Sequence, residues 1–592
     1  MIFGDQTKLG HVLKHKEARA VLFRQDPGLE GQDYVLQFKK MMTLGDYLAS
    51  LPESARAALL RELSPLQEQS ESASLESRAD YDVDGPGRAT ASAAWPSTAE
   101  RWGVFELSLD GPDHGNPYVD VALAAEFTHA EGAAATAQGF YDGAGRYYVR
   151  FMPEQEGEWT FRTRSNARSL DNLRGGFTVT APAAGNHGPV RVKDRFHFAY
   201  ADGTRYIPVG TTCYAWTHQE EALEEQTLET LASSPFNKLR MCVFPKAYLY
   251  NANEPPRYPY EGSLEEGWDY TRFQPAFFRH LEQRIAQLGE LGIEADLILF
   301  HAYDRWGFSE MGAATDDLYV RYVTARLSAY RHIWWSMANE YDLMWDKETE
   351  DWERMASLVT SADPHGHLIS IHNCNPFYDY SRPWITHCSV QRQDVYRTAE
   401  YTDEWRQRWG KPIVLDECAY EGNVETGWGN ISGEEMTRRC WEGAVRGGYV
   451  GHGETYLHPE DILWWSKGGE LHGTSPARIG FLRGILEEGP ESGIGPLPKS
   501  VMDWDVPIGG VADSYLLYYF GFNRPSFRVF TMKPGVRYTV DVIDTWNMTI
   551  ERQPVEYEGS FRIDLPGREY MAVRLIRVDQ APRPNIPLDK EN

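Results

Sequence analysis

The chain is 592 residues long, beyond what one hydrophobic core organises, and its length suggests about four domains. Hydrophobic residues at 42% and charged residues at 24% are those of an ordinary globular protein, and the aromatic share of 13% fits large β-rich cores. The formal net charge of −27 argues against a nucleic-acid partner, which needs a basic footprint, and against an anionic membrane surface. No apolar run approaches a membrane span.

The opening Met1-Ile2-Phe3-Gly4-Asp5-Gln6-Thr7-Lys8 lacks the basic stretch and apolar run of a secretion signal, so a cytoplasmic location is expected. Leu9, Val12, Leu13, Ala18, Val21 and Leu22 recur at helical spacing. Thr43 is placed to cap a second helical run through Leu48, and 54–63 is amphipathic. Residues 1–68 thus read as a small helical unit, for packing or for association into a homo-oligomer. Residues 69–93, rich in Ser, Glu, Ala and Asp, read as a linker. Within it, Asp80-Tyr81-Asp82-Val83-Asp84-Gly85 imitates the start of a calcium loop. Its twelfth position is Ala91, where a bidentate Glu is required, so it reads as a solvated acidic loop.

Residues 94–190 alternate as short strands, with 102–107, 147–151 and 159–162 the clearest, and predict a β-sandwich. Residues 191–490 alternate strand with helix. Apolar runs at 206–210, 238–244, 293–300, 332–338, 368–371, 387–391, 412–416 and 448–451, with helical stretches such as 277–291 and 315–329 between them, predict a (β/α)₈ barrel. A doubly wound sheet is the alternative, but no Gly-rich phosphate loop follows any strand. Residues 500–578 return to strands and predict a second β-sandwich, and 579–592 is a Pro-rich polar tail. The fold class is multidomain α/β: a TIM barrel flanked by two β-sandwich domains, after a small helical unit. The six cysteines, Cys213, Cys242, Cys374, Cys388, Cys418 and Cys440, have no CxxC spacing and read as reduced core thiols, not a zinc site.

In such a barrel the reactive groups stand at the carboxyl ends of the strands. Trp334-Trp335-Ser336-Met337-Ala338-Asn339-Glu340 and Pro412-Ile413-Val414-Leu415-Asp416-Glu417 are apolar, β-prone runs that each end in a glutamate. A carboxylate at the end of a buried strand is costly unless paired or functional. Two such ends facing each other at one barrel mouth are the equipment of a retaining glycosidase. The other ends offer Arg240; His301 with Tyr303 and Asp304; His372; Gln391, Gln393 and Tyr396; and His452, Glu454 and Tyr456. Trp306, Trp345 and Trp428 follow strand ends, where ring faces can stack on a sugar. His365-Gly366-His367 looks metal-like but falls on a turn before the fifth strand, at the wrong end of the barrel, so no metal and no cofactor are expected.

The pattern resembles glycoside hydrolase clan A, whose barrels carry an acid/base Asn-Glu after the fourth strand and a nucleophilic Glu after the seventh. Here the glutamates are 417 − 340 = 77 residues apart, which fits three strand–helix units. Over residues 95–578 the chain resembles family-5-like and apiosidase-like barrel proteins with a β-sandwich before the barrel and a "putative collagen-binding" sandwich after it. The stretch Leu463-Trp464-Trp465-Ser466-Lys467-Gly468-Gly469, leading to Gly473-Thr474-Ser475-Pro476-Ala477-Arg478, looks like that group. The resemblance implies Glu340 as acid/base, Glu417 as nucleophile, Asn339 on the sugar 2-hydroxyl, Arg240 holding Glu417 ionised, and His301 lining the sugar subsite. His372, Glu454, Tyr456, Trp306 and Trp465 complete the expected substrate-binding set. Gln391, Gln393 and Tyr396 are the candidates for the hydrogen-bond partner of Glu417. The expected activity is exo-acting hydrolysis of short oligosaccharides or glycosides. The alternative is a non-catalytic carbohydrate- or protein-binding scaffold.

Overall fold

A computed structural model of the protein describes residues 3–29, 36, 39–66, 75–82, 85 and 87–580. The tail beyond Gln580, Val83 and Asp84 of the calcium-like stretch, and residues 69–74 of the expected linker lie outside the described residues.

The central unit contains eight parallel strands: β1 (Gly210–Thr212), β2 (Lys238–Cys242), β3 (Glu294–His301), β4 (Ile333–Asn339), β5 (Ile369–Ser370), β6 (Cys388–Gln391), β7 (Ile413–Glu417) and β8 (Tyr449–Val450). The first five pair in chain order in one sheet, and β6 to β8 form another. Isolated parallel bridges join His372, just past β5, to Ser389 in β6, and His452, just past β8, to Thr211 in β1. The unit is barrel-like. Strands β3 and β4 are buried along their whole length, which is why they read as nearly unbroken apolar runs.

The first strand is not the expected 206–210. Arg205–Tyr206 pairs antiparallel with His197–Tyr200, and β1 starts at Gly210. Pro208 lies between the two and has no N–H for a central ladder.

The helices that cover the strands include α1 (Glu221–Ser233), α2 (Pro275–Glu290), α3 (Ala313–Leu327), α4 (Thr349–Ala362), α5 (Thr402–Trp409), α6 (Gly433–Val445) and α7 (Ser475–Glu487). Pro275 opens α2 with a preset φ and no N–H to waste.

Residues 93–180 form eight strands whose pairing is continuous, because Ala134–Tyr141 pairs with both Leu123–His129 and Arg146–Phe151. Phe105 stacks on Phe177 at 3.8 Å and Phe127 on Phe151 at 4.2 Å inside this unit. It sits on α2 and α3 through buried ion pairs, Arg150 to Glu282 at 2.8 Å and Arg326 to Asp142 at 2.6 Å. Residues 495–577 form a seven-stranded sheet with a two-stranded pair, Phe527–Thr531 and Ser560–Asp564, packed against it. Tyr519 of this sheet stacks on Trp441 of α6 at 5.4 Å.

The N-terminal helices, Leu9–Lys14, Lys16–Gln25, Leu44–Ala49 and Glu53–Leu63, share a core of Leu9, Val12, Leu22, Leu44, Leu48 and Leu59. They dock on Trp345, with His11 edge-on to its ring at 5.0 Å and Lys14 paired to Asp346 at 2.8 Å. Trp345 was a candidate for sugar stacking; it is the seat of the helical unit instead. All six cysteines are free. No helix among the described residues is long and apolar enough to cross a membrane.

Candidate active site

Parallel register brings the strand ends level. His301 is paired with Asn339, and Gln391 with Glu417. Beneath these ends the strand interior is ionic. Lys238 Nζ lies 2.5 Å from Asp296 and 2.9 Å from Asp416, and Ser389 donates to Asp416 at 2.6 Å. Burial alone would push Asp416 up, but the Lys238 and Arg240 charges hold it well below the usual carboxylate range. Buried charges survive there because each has a close partner.

Above this layer Glu340 and Glu417 line one open pocket of about 520 Å³, together with Tyr214, Lys246, Tyr248, Tyr303, Asn339, Cys374, Gln391, Gln393, Tyr420, Trp428 and Trp465. Both glutamates are buried. Glu340 has φ of 54°, the left-handed region, and so does Ala419 two residues past Glu417 at 67°. Such strain persists where the surroundings over-determine it, as at reactive sites.

The two carboxylates have separate partners. Tyr303 Oη donates to Glu340 Oε2, Gln391 Nε2 to Glu340 Oε1 at 2.9 Å, and Asn339 Nδ2 reaches Glu340 Oε2 at 3.4 Å. Tyr214 Oη donates to Glu417 Oε1 and also lies 3.1 Å from Asn339 Oδ1. Burial first, then the charge of Glu340, pushes Glu417 up to about 7, against Arg240, Tyr214 and Lys246, which pull it down. Burial and the neighbouring carboxylate thus hold the proton of Glu417 into the neutral range.

Several expected residues stand elsewhere. Arg240 does not bond Glu417; its Nη2 donates to Asn339 Oδ1 at 2.8 Å and its Nη1 lies 3.7 Å from Asp416. Its charge still favours the ionised form of Glu417. His301 is fully buried under the pocket, with Nε2 3.2 Å from the Phe244 carbonyl, and burial pushes it down to about 3, so it is a neutral packing residue. His372 is also fully buried, with Nε2 3.9 Å from Glu417 Oε1, and burial holds it well below its ordinary value. Trp306 donates to Glu254 at 3.0 Å and stacks toward Phe308, away from the pocket. Tyr396 is exposed. Asn339 and Trp465 are in the pocket as expected.

Glu454 and Tyr456 belong to a neighbouring structure. Glu421 accepts from Thr474 N at 2.7 Å, Ser475 N at 3.0 Å and Tyr456 Oη at 3.0 Å; Glu454 accepts from His472 N at 2.5 Å and Gly473 N at 2.8 Å. The two carboxylates hold the loop into α7 and occupy its unsatisfied N–H groups. This accounts for the Gly473-Thr474-Ser475 motif in structural terms. With His452 they are the one group of three or more His, Cys, Asp or Glu among the described residues whose ligand atoms all come within 4.8 Å of one another. Their oxygens already accept backbone donors, and nothing further points to a metal.

The sequence reading missed Tyr214, Tyr303 as a bonding partner, and Lys246. Placing the first strand at 206–210 left Tyr214 adrift in a loop. With β1 ending at Thr212, Tyr214 stands two residues past a strand end, as a site residue should.

The family model of an apiosidase-like catalytic domain matches residues 192–475. Two domains of unknown function match on either side, DUF5060 over 98–166 and DUF5605 over 504–576. A crystal structure from Bacteroides vulgatus ATCC 8482, described as "a putative glycoside hydrolase", is 38% identical, with a TM-score of 0.77 over 82% of this chain and 100% of that one. A family 5 glycoside hydrolase from the same organism, 14% identical, matches with a TM-score of 0.52 over 66% of this chain and 93% of that one, a likeness of fold. No curated protein matches the chain.

Proposed function

The chain belongs with the glycoside hydrolases, through its 38% identical relative, and from that premise we propose that it is a retaining glycosidase of apiosidase-like type on a closed (β/α)₈ barrel of clan A. Glu417 is the nucleophile and Glu340 the acid/base. The observation that carries this reading is the pair of buried carboxylates lining one pocket from the ends of β4 and β7, each with its own phenol donor. Tyr214 aims Glu417 and stabilises its anion. Glu340 first protonates the leaving oxygen and then takes the proton of the incoming water. Asn339, fixed by Arg240, is poised for the sugar 2-hydroxyl, a contact that strengthens as the oxocarbenium ion forms. Trp428 and Trp465, with ring centroids 5.0 Å apart, and Tyr248 wall one side of the pocket, which supports removal of terminal sugars from short oligosaccharides or glycosides.

The test is hydrolysis of an aryl glycoside panel with the anomer of the first-formed product read by NMR. Retention is expected; inversion, or no turnover of any member, sinks the reading. Glu417→Ala should remove turnover on every substrate. Glu340→Ala should lose most activity on substrates with poor leaving groups and keep the first step where the leaving group is acidic, because such groups need no proton. Equal loss on both substrate types in the Glu340 variant would reject its role.

A further inference from the structure

Lys246 is 3% exposed, and its ammonium stands among ring faces: 3.6 Å from the centroid of Tyr214, 4.4 Å from Tyr303 and 4.8 Å from Trp465. Ring faces attract a cation but do not fill its three N–H donors as oxygens would. Two more deeply buried lysines of this unit are paired: Lys238 with Asp296 and Asp416, and Lys347 with Asp316 at 2.7 Å. Among the described residues no carboxylate lies within ion-pair distance of the Lys246 Nζ and no hydrogen bond leaves it. It lines the pocket that holds Glu340 and Glu417, next to the tyrosine that bonds Glu417. A buried cation with open donors that faces a ligand pocket fits an anionic oxygen group on the ligand.

We propose that the sugar held against Glu417 is a uronic acid, its carboxylate taken by Lys246. This rests on the glycosidase reading and names its substrate class. The ammonium would offset the repulsion between the sugar carboxylate and the two catalytic carboxylates. The groups around Lys246 are Tyr214, Tyr248, Tyr303, Trp465, Cys242, Arg240, His301, His372, Glu340 and Glu417. Burial lowers its amine from the ordinary lysine value, and a bound anion would draw the proton back. Uronate binding should therefore weaken at alkaline pH more than binding of a neutral sugar.

Calorimetry on the full chain with glucuronate and galacturonate, against glucose, galactose and a sulfated galactose, reads binding without turnover. The uronates should bind at least about tenfold more tightly than their neutral counterparts. Lys246→Met should abolish that preference, with uronate binding falling at least about tenfold further than neutral-sugar binding, and Lys246→Arg should retain part of it. Equal binding of acid and neutral sugars, a preference for the sulfated sugar alone, or parallel losses on both classes in Lys246→Met and Lys246→Gln would overturn the proposal. Uronate selectivity together with an inverted product would leave it standing and reject the retaining mechanism instead.

Discussion

Tyr214 reaches Glu417 from beyond β1, so the proposed nucleophile depends on a residue some two hundred positions away in the chain. Its hydroxyl lowers the pKa of Glu417, which burial and Glu340 have raised to about 7. Removing it in Tyr214→Phe should therefore raise that pKa. The proposed mechanism needs ionised Glu417, so the acidic limb of the kcat/KM profile should move to higher pH. A hydrogen bond to a charged group contributes about 1.5–3 kcal/mol, which converts to roughly one to two pH units. A profile that stays in place, with only its height reduced, would show that Tyr214 does not tune Glu417. The same scale explains a misreading. His301 ends an apolar strand and was expected in the sugar subsite, yet the chain turns so that its ring lies beneath the pocket, against the Phe244 carbonyl.

Strand β3 begins at Glu294, a buried carboxyl that accepts from Trp334 Nε1 of β4 at 3.0 Å. Burial, only partly offset by that bond, raises it from 4.5 to about 8. Between those values the folded protein holds a proton that the unfolded chain gives up. Stability from this group is thus fully present below 4.5 and is lost as the pH rises through 8. Glu294→Gln keeps the acceptor and removes the titration. The difference in unfolding midpoint between the variant and the parent should grow in favour of the variant from pH 5 to pH 9, a trend read by denaturant titration at each pH. A constant difference would mean that Glu294 is ionised throughout. At this scale the sequence located most parallel strands of the central unit, because strands buried on both faces must be apolar, but it misplaced the first. The run 206–210 is apolar for a different reason: Tyr206 packs with Phe198 and Trp334 in a small cluster beside the strands.

Over the whole molecule the flanking units are bolted to the barrel-like unit by side chains that reading the chain locally does not connect. The helical unit meets Trp345, five residues past Glu340, and Gly10 is the point of closest approach: a Cβ there would fall inside the Trp345 ring. Gly10→Val should prise the helices from the loop that follows β4. Cleavage within residues 1–66 in limited proteolysis should accelerate, and kcat/KM should fall by up to about tenfold as that loop relaxes, since small displacements of catalytic groups are costly. Unchanged cleavage would show that the helices do not depend on this contact.

The sequence by itself determined the strand–helix alternation of the central unit, the two strand-rich flanks, and the two glutamates that end apolar runs. These are properties of local periodicity and of which residues tolerate burial, and periodicity is written residue by residue. Only the tertiary structure decided which side chains meet those glutamates. Arg240 turned to Asn339 and Asp416, Gln391 went to Glu340, and Tyr214 went to Glu417. Glu454 left the pocket to hold the loop before α7, and Lys246 entered it with no carboxylate of the described residues within ion-pair distance. Such partnerships arise when distant strand ends are brought level by parallel register, and register follows from the packing of the whole set of strands, not from any one of them.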